Sequence, residues 1–440
     1  MEFSNFRDVI KGCACQKEHS APIDKVIIEK GAIKRLPEVI NGYGAKKVYM
    51  LADLNTYAAA GEACERIIKD AGIACKTFVF PTKEIIKPDE HAVGAAVMHY
   101  DASCDIIVAV GSGVLNDVGK ILATLTGRTY VIVGTAPSMD GYASISASME
   151  LDGLKTSLTT KCAEVLIGDV DILKNAPIRM LTSGLGDMIA KYVSICEWRI
   201  SRIVVGEYYC EYVAELVRSA LKKCVDNADG LLKRDEDAVA AVFEGLVIGG
   251  VAMTYAGISR PASGVEHYIS HVYDMRGLEF GTPTDLHGIQ CAIGTLIASR
   301  VYEQIKLIKP DREKALAFNA AFDYGDWKNT LSSYLGKGAD AMIALEAKER
   351  KYDTELHAPR LEKILANWEE ILSIVNEELP TPAELEALLV RIGCPTSVAE
   401  IGLDPADLLT VFKATKDIRD KYVLSRICHD LGVIDEIRFN

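Results

Sequence analysis

Basic side chains are too few in this chain to suit a polyanionic partner. Across 440 residues, 49 Lys and Arg stand against 62 Asp and Glu, which gives a net charge of −13. Nucleic-acid binding needs a basic surface, and anionic membranes attract one. We therefore expect neither nucleic acid nor a membrane surface as a partner.

The sequence predicts no membrane anchor. Residues 1–20 carry charges throughout and lack the apolar core of a secretory signal. The longest later stretch without a charge, residues 245–259, is shorter than the roughly 20 apolar residues that span a bilayer. We expect no membrane insertion and interpret this stretch as part of a buried helix.

Cysteine pairs with the spacing of a redox or zinc motif are also scarce. The chain has 12 cysteines but no C-x-x-C, and Cys13 and Cys15 form a lone C-x-C that we interpret as incidental. Many other cysteines lie in apolar stretches, where a thiol behaves as a small hydrophobic side chain. This usage is typical of the reducing cytoplasm, which is the predicted location.

What the chain does have is a change of pattern near residue 177. Before it, short apolar runs alternate with helix-like stretches, which predicts a parallel sheet of βαβ units; after it, helical patterns take over. The predicted strands are 47–53, 75–81, 104–113, 129–137 and 163–173, with a hairpin turn at Asp152-Gly153. The length suits two domains, 1–176 (α/β) and 177–440 (helical), with the active site expected in the cleft between them.

Three segments at predicted strand ends are candidates for nucleotide binding. Residues 111–113, Gly-Ser-Gly, lead from a strand into a helix start that attracts phosphate; they lack G-x-G-x-x-G and fit a tight turn equally well. Asp53 ends another strand, where a carboxylate either binds an adenosine ribose, which favours NAD over NADP, or caps a helix. The loop 134–144, which contains Asp140, lies where open α/β sheets bind ligands, and its composition also fits an ordinary turn.

Histidine is rare, which makes its clustering informative. Three of the eight histidines, His267, His271 and His287, fall within 21 residues. Histidines with a carboxylate and an open position are typical of a catalytic zinc site, and Asp187 is the candidate carboxylate. The alternatives are ordinary core or surface histidines, a capped helix start at His287, and a salt bridge between Asp187 and Lys191.

Five motifs in order resemble the iron-containing alcohol dehydrogenase and dehydroquinate synthase-like superfamily. They are GSGVLND, TAPSMDGYAS, GLGDMIAKY, GVEHYISH and LHGIQCAIGT, spread over roughly residues 20–310. Within it, they are most similar to the sn-glycerol-1-phosphate dehydrogenase family. The resemblance implies a Rossmann-like nicotinamide-binding domain over 1–176 and a helical metal- and substrate-binding domain over 177–440. We also expect a homo-oligomer, a dimer or larger.

The resemblance implies roles for individual residues. The implied metal ligands are Asp187, His267 and His287. The implied cofactor contacts are Asp53, Gly113, Val114, Leu115, Asn116, Asp117, Thr135, Ala136, Pro137, Ser138 and Ser144. Asp140 and His271 are implied to be catalytic and to contact the substrate, and Asp187 is also counted among the substrate contacts. Iron-type members carry a histidine where this chain has Lys191, so three protein ligands remain, which suits zinc or nickel better than iron.

The implied reaction is a metal-dependent, NAD(P)-linked interconversion of dihydroxyacetone phosphate and sn-glycerol 1-phosphate by hydride transfer at C2, in phospholipid biosynthesis. NAD is the expected cofactor, with NADP as the alternative. A dehydrogenase of unphosphorylated polyols such as glycerol and a dehydroquinate synthase-like, NAD-dependent lyase are rival activities, and a helical partner-binding protein is the non-catalytic rival. A cation that binds the substrate phosphate would distinguish the glycerol-1-phosphate reaction from that of an unphosphorylated polyol dehydrogenase. Lys191 and Arg260 are the candidates.

Overall fold

The computed structural model describes residues 2–4 and 6–439 of the chain. The chain divides into two compact units, each made of two segments. Unit 1 is Met1–Met188 with Glu215–Ile258, and unit 2 is Ile189–Ala214 with Ser259–Asn440. The domain boundary expected at residue 176 stays a prediction.

All strands among the described residues lie in unit 1. They are β1 (Glu2–Ser4), β2 (Lys25–Glu29), β3 (Lys47–Asp53), β4 (Ala74–Phe80), β5 (Ile106–Gly111), β6 (Thr129–Gly134), β7 (Ser146–Leu151), β8 (Leu154–Thr159) and β9 (Val165–Asp169). Seven form one sheet in the order β1-β2-β9-β6-β5-β3-β4. Strand β1 is antiparallel to β2, and the other neighbours are parallel. The α/β class predicted from the alternating pattern is confirmed.

The sheet forms where the sequence has continuous apolar runs, because parallel strands are buried on both faces. All six residues of β5 are buried, as are the five central residues of β3. The predicted strand 47–53 coincides with β3, and the other four overlap β4, β5, β6 and β9. Strand β2 was not predicted, since its three buried apolar residues are flanked by Lys25 and Glu29 and give a weak signal.

The hairpin turn is confirmed. Strands β7 and β8 pair in antiparallel register, with Leu151 opposite Leu154. The two residues between them, Asp152 and Gly153, have φ of 53° and 76°. Two successive left-handed residues are what a two-residue type I′ turn requires, and Asp-Gly supplies them at low cost.

The described residues contain twenty α-helices. They are α1 (Leu36–Gly42), α2 (Leu54–Thr56), α3 (Glu62–Asp70), α4 (Glu90–Met98), α5 (Gly113–Thr126), α6 (Val170–Leu173), α7 (Ile178–Ile189), α8 (Lys191–Val205), α9 (Glu211–Asp226), α10 (Glu236–Ala256), α11 (Val265–Phe280), α12 (His287–Lys306), α13 (Arg312–Ala320), α14 (Tyr324–Leu335), α15 (Gly338–Glu349), α16 (Thr354–Ala366), α17 (Trp368–Glu378), α18 (Pro382–Arg391), α19 (Leu408–Thr415) and α20 (Leu424–Asp430). After Asp169 the described chain contains helices and turns but no strand, so the predicted change of pattern is confirmed.

Residues 245–256 of the apolar stretch 245–259 belong to α10, which begins nine residues before the stretch, at Glu236, and ends at Ala256. The helix has the length and hydropathy of a membrane span, but 78% of its apolar window is buried, as expected of a core helix. The Phe243 ring of α10 leaves no room for a side chain at two positions of the sheet. A Cβ at Gly134 would lie 2.8 Å from the Phe243 ring, and a Cβ at Gly168 would lie 2.4 Å from the same ring. The predicted buried helix is confirmed.

Unit 2 is built around a helical core that fixes α11 against α12. Val265 and Tyr268 of α11 and Val301 and Tyr302 of α12 share one buried apolar cluster. The two helices approach closely because residue 294 is a glycine. A Cβ at Gly294 would lie only 2.6 Å from the carbonyl oxygen of Glu266. Residues near the start of α11 therefore lie close to residues near the start of α12.

Candidate active site

In unit 1, the carboxyl ends of neighbouring strands bring predicted cofactor residues to one edge of the sheet. Asp53 ends β3, and Gly111 of β5 pairs with Gly134 of β6. Strand β3 has β4 on one side and β5 on the other, so the chain order reverses there. Open α/β sheets bind ligands outside the carboxyl ends at such a switch point.

Of the two roles expected for Asp53, ribose binding and helix capping, the structure shows the capping. Its Oδ1 accepts the Thr56 N–H at 2.7 Å, and its own N–H donates to Thr56 Oγ1 at 3.0 Å. The side chain is half-buried at the sheet edge. A carboxylate has two oxygens, so helix capping leaves acceptor capacity for a ribose hydroxyl.

The glycine turn is shaped by close packing. A Cβ at Gly111 would lie 2.4 Å from Leu115, and one at Gly113 would lie 3.3 Å from Met139. Helix α5 begins at Gly113, and the side chain of its N-cap, Ser112, makes no capping hydrogen bond. The 14-residue helix thus starts with backbone N–H groups and a dipole that suit an anion.

Two predicted cofactor residues turn their side chains inward. Asn116 Nδ2 donates to the Gly141 carbonyl at 3.1 Å, and the Tyr130 hydroxyl donates to Asn116 Oδ1 at 3.1 Å. Asp117 accepts the Ser148 N–H at 3.0 Å. Burial raises the pKa of Asp117, although the Lys120 ammonium acts in the opposite direction. The side chains of Asn116 and Asp117 therefore stabilise the turn through hydrogen bonds within unit 1.

Lys120 is a buried cation that was not predicted to be a site residue. Its Nζ lies 3.3 Å from Asp117 Oδ1 and donates to the Gly141 carbonyl at 2.5 Å, Ser144 Oγ at 3.1 Å and the Ser146 carbonyl at 2.9 Å. The side chain is fully buried. It ties the first turns of α5 to the loop that carries Asp140, and Ser144, a predicted cofactor contact, is one of its partners.

The loop 135–138 is buried and anchored at several points. The Thr135 N–H donates to the Gly111 carbonyl at 3.0 Å, and the Tyr142 hydroxyl donates to the Ala136 carbonyl at 2.6 Å. Ser183 Oγ of α7 donates to the Ser138 carbonyl at 3.0 Å. The predicted cofactor loop is thus held in place at the end of β6 by hydrogen bonds on several sides.

Asp187 lies on α7 and is fully buried. Its Oδ2 accepts the backbone N–H of Asp140 at 2.9 Å. The Asp140 side chain is half-buried at the start of a short 3₁₀ turn, Asp140–Ala143. One hydrogen bond therefore joins the predicted metal carboxylate to the predicted substrate-contacting residue.

In unit 2, two of the predicted metal ligands come together. The ring centroids of His267 and His287 are 5.0 Å apart at an interplanar angle of 67°. Cys291, one turn after His287, joins them: the ligand atoms of the three residues lie within 4.8 Å of one another. The cysteine was not predicted, although its i,i+4 spacing from His287 on a helix was a usable signal.

His267 is oriented by a carboxylate. It is 5% exposed, and its Nδ1 lies 2.8 Å from Glu266 Oε1, which also accepts the Gly264 N–H at 2.7 Å. An ionised carboxylate only accepts hydrogen bonds, so Nδ1 carries the proton and Nε2 keeps the lone pair. Carboxylates support metal-binding histidines in this way.

A second buried carboxylate lies beside the first. Glu197 accepts the Val265 N–H at 3.0 Å and the Leu424 N–H at 2.8 Å. Burial, with the neighbouring Glu266 charge as the second cause, raises the pKa of Glu197 to about 8. The buried Arg260 guanidinium, 3.8 Å from Glu197 Oε2, acts in the opposite direction. Glu197 therefore holds its proton more strongly than an exposed glutamate does.

His271 has different neighbours. It is half-buried, and its ring is nearly parallel to that of His287, with centroids 5.9 Å apart. Ser270 Oγ lies 3.2 Å from His287 Nδ1 and accepts from Gln290 Nε2 at 3.1 Å. The Ser270 hydroxyl can donate to or accept from His287 Nδ1, so this contact holds the ring in place without setting its tautomer.

The two cations proposed for a substrate phosphate are engaged within unit 2. Arg260 is fully buried, and its Nε donates to both oxygens of Glu207 at 3.1 and 3.0 Å. Lys191 is also fully buried, and its Nζ donates to the Ala262 carbonyl at 3.2 Å. Arg260 therefore has the contacts of a structural ion pair rather than of a phosphate ligand.

Comparison with known proteins identifies the family. A family model described as iron-containing alcohol dehydrogenase matches residues 27–177. A glycerol-1-phosphate dehydrogenase [NAD(P)+] of Halalkalibacterium halodurans is 33% identical over 298 residues, which cover 67% of this chain and 75% of that protein. One of the same name from Bacillus licheniformis is 25% identical over 434 residues, 98% of this chain and 95% of its own.

The fold and these matches define an oxidoreductase of the iron-containing alcohol dehydrogenase class. Within that class, the chain belongs to the glycerol-1-phosphate dehydrogenase family. The crystal structure of a glycerol dehydrogenase from Schizosaccharomyces pombe is also similar, with a TM-score of 0.61 over 93% of this chain and 88% of that chain. At 16% identity, that likeness supports the fold alone.

Proposed function

We propose that this chain interconverts dihydroxyacetone phosphate and sn-glycerol 1-phosphate by hydride transfer at C2, with NAD and one divalent metal ion. The observation that carries the proposal is the pair His267 and His287, set side by side with the His267 tautomer fixed for metal binding. Family membership supports the phosphorylated three-carbon substrate. Phospholipid biosynthesis is the pathway that such a product would serve.

The proposed metal ligands are Asp187, His267 and His287. The donor set fits a metal: His267 offers Nε2, and the hydrogen bond from the Asp140 N–H orients the Asp187 carboxylate as a supporting contact orients a ligand. When bound, a divalent metal supplies a Lewis acid for the substrate C2 oxygen. Two imidazoles and a carboxylate suit zinc or nickel, and a thiolate at Cys291 would add to the preference for zinc.

The proposed cofactor site is the carboxyl edge of the sheet in unit 1. Backbone N–H groups of residues 113–115, at the start of α5, would bind the pyrophosphate. Asn116 and Asp117 stabilise the turn through hydrogen bonds to Gly141 and Ser148. Asp53 accepts hydrogen bonds from the adenosine ribose and repels a 2′-phosphate, which favours NAD. Residues 135–138 and Ser144 support the nicotinamide end, and the nicotinamide carries the hydride.

Asp140 and His271 are proposed to hold the substrate and pass the proton of the C2 hydroxyl. Both are half-buried, which leaves their side chains accessible to a bound ligand. All twelve cysteines are thiols rather than disulfide partners, which supports the proposed cytoplasmic location. The homo-oligomer stays a prediction, which light scattering tests.

The test is NADH oxidation by protein stripped with a chelator and reloaded with zinc or nickel. We expect turnover with dihydroxyacetone phosphate, little with dihydroxyacetone, and a preference for NADH over NADPH. His267→Ala should lose the metal and His271→Ala should keep it and lose turnover, whereas the exposed His91→Ala serves as the matched control.

Two outcomes would contradict the proposal. Good turnover of dihydroxyacetone or glycerol with none of the phosphorylated substrate would assign a polyol dehydrogenase. Full metal content in His267→Ala would remove His267 from the metal site. Light scattering that shows a monomer would overturn only the expected oligomer.

A further inference from the structure

A loop near the N-terminus brings together three side chains outside the proposed active site. Ile10 and His19 pair through two backbone hydrogen bonds, of 2.9 and 3.2 Å. Between them, the Gln16 N–H donates to the Cys13 carbonyl at 2.9 Å, and Gln16 has a φ of 64°. This tight left-handed turn places Cys13 and Cys15 near His19, with all three ligand atoms within 4.8 Å of one another.

His19 has the surroundings of a metal ligand. It is 0% exposed, and its Nδ1 lies 3.0 Å from the carbonyl oxygen of Tyr255 at the end of α10. A carbonyl can only accept, so Nδ1 carries the proton and Nε2 of the neutral ring keeps its lone pair. That Nε2 lies 3.2 Å from Cys15 Sγ.

The spacing of these atoms fits a tetrahedral ion. Zinc binds sulfur at about 2.3 Å and imidazole nitrogen at about 2.0–2.1 Å, so a sulfur and a nitrogen on one ion are separated by about 3.6 Å. The Cys15–His19 separation is within a few tenths of an ångström of that value. Thiolates with imidazole select zinc over the harder divalent ions, because those ions prefer oxygen.

We propose that Cys13, Cys15 and His19 bind a structural zinc ion, separate from the one proposed at Asp187, His267 and His287. On binding, the two thiols become thiolates and release two protons to solvent, while His19 binds as the neutral ring. One tetrahedral position remains for a water or a further thiolate. The ion would fasten the loop 10–19 to the end of α10, and the lone C-x-C, interpreted from sequence as incidental, becomes part of a C-x-C-x3-H site.

The first experiment counts zinc in the full chain by elemental analysis after purification with zinc. We expect Cys13→Ser, Cys15→Ser and His19→Ala each to lose one equivalent relative to wild type. Cys75→Ser, a half-buried thiol on β4, is the matched control and should lose none. His267→Ala should lose a different equivalent, so the double variant His267→Ala/Cys15→Ser should lose both.

The second measurement uses the wild-type protein alone and does not depend on how a variant folds. We expect zinc to protect Cys13 and Cys15 from alkylation, and chelation to expose them, as read by peptide mass spectrometry. Cobalt should give a sulfur-to-metal charge-transfer band that persists in His267→Ala. Equal alkylation with and without zinc, or unchanged zinc content in Cys15→Ser, would overturn the proposal and leave a thiol–imidazole hydrogen bond in its place.

Discussion

Gly184 on α7 offers a direct test of how rigidly the loop 135–138 is held. A Cβ at this position would lie 1.8 Å from the carbonyl oxygen of Pro137 and 2.8 Å from its carbonyl carbon. Cβ atoms essentially never come within 3.0 Å of such atoms, so Gly184→Ala must part the helix and the loop by about 1.2 Å. The obstacle is backbone, so no side-chain rotation can relieve it.

The cost follows from what anchors the loop. The hydrogen bonds of Thr135, Ala136 and Ser138 resist a shift, and each contributes about 1 kcal/mol. Overpacking of a tight site costs roughly 1–3 kcal/mol, so we expect Gly184→Ala to lower the free energy of unfolding by about 2–3 kcal/mol. Misplacement by about 1 Å can reduce a rate 100-fold, and we expect NADH affinity to fall at least tenfold.

The assay is thermal unfolding together with a fluorescence titration of NADH. Gly94→Ala is the matched control, because Gly94 is also inside a helix, α4, and a Cβ there would meet nothing within 4 Å. That variant should gain roughly 0.5–1 kcal/mol from reduced chain entropy and bind NADH as wild type does. If Gly184→Ala melted and bound NADH like Gly94→Ala, the contact between α7 and the loop would not be the constraint inferred here.

The other predictions concern single polar contacts. Glu266→Ala should weaken metal binding about 10- to 100-fold in a competition with a chelator, and Glu266→Gln less, because the amide oxygen can still accept from His267; equal affinity in all three proteins would refute the orienting role. Lys120→Met should raise the KM for NADH and destabilise the protein by at least about 2 kcal/mol, since it leaves a buried Asp117 uncompensated; an unchanged melting temperature would contradict this. Asp53→Ser should reduce the preference for NADH over NADPH, measured as a ratio of kcat/KM values. Burial lowers the pKa of Lys351 to about 8, so between pH 8 and 10 the unfolded chain binds more protons than the folded one, and the stability of wild type relative to Lys351→Met should rise with pH by about 2 kcal/mol in urea titrations.

Much of the fold could be predicted because its signals are local. Strand β3 and the hairpin turn at Asp152 and Gly153 depend on a run of neighbouring residues, and such runs are visible in one sequence. The two-unit division is different: residues 215–258 belong to unit 1 because side chains such as Phe243 pack on sheet glycines more than 70 residues away. No local pattern reports a contact of that kind.

Some residues of the candidate site could likewise be predicted from the sequence and others could not. Asp53 and Gly113 could be placed because residues at the carboxyl ends of parallel strands share one edge. Lys120 could not, because its partners on residues 141–146 are more than 20 residues distant. Glu266 was missed for a different reason: adjacent residues on a helix do not normally face each other, and this one folds back because it also caps the helix start through the Gly264 N–H.

The environments of His267 and His271, rather than their spacing, separate their proposed roles. A metal ligand needs a fixed tautomer and exclusion of water, and His267 has a buried carboxylate on Nδ1. A proton carrier needs a ring that can change its protonation state near the substrate, and His271 is half-buried beside His287. Two histidines one helical turn apart would serve as equal ligands if their surroundings were equal. Because the Glu266 carboxylate fixes the tautomer of His267 for metal binding, we expect His267 rather than His271 to be the ligand. His271→Gln should therefore retain the metal content of wild type, and loss of metal from that variant would show that both imidazoles are ligands.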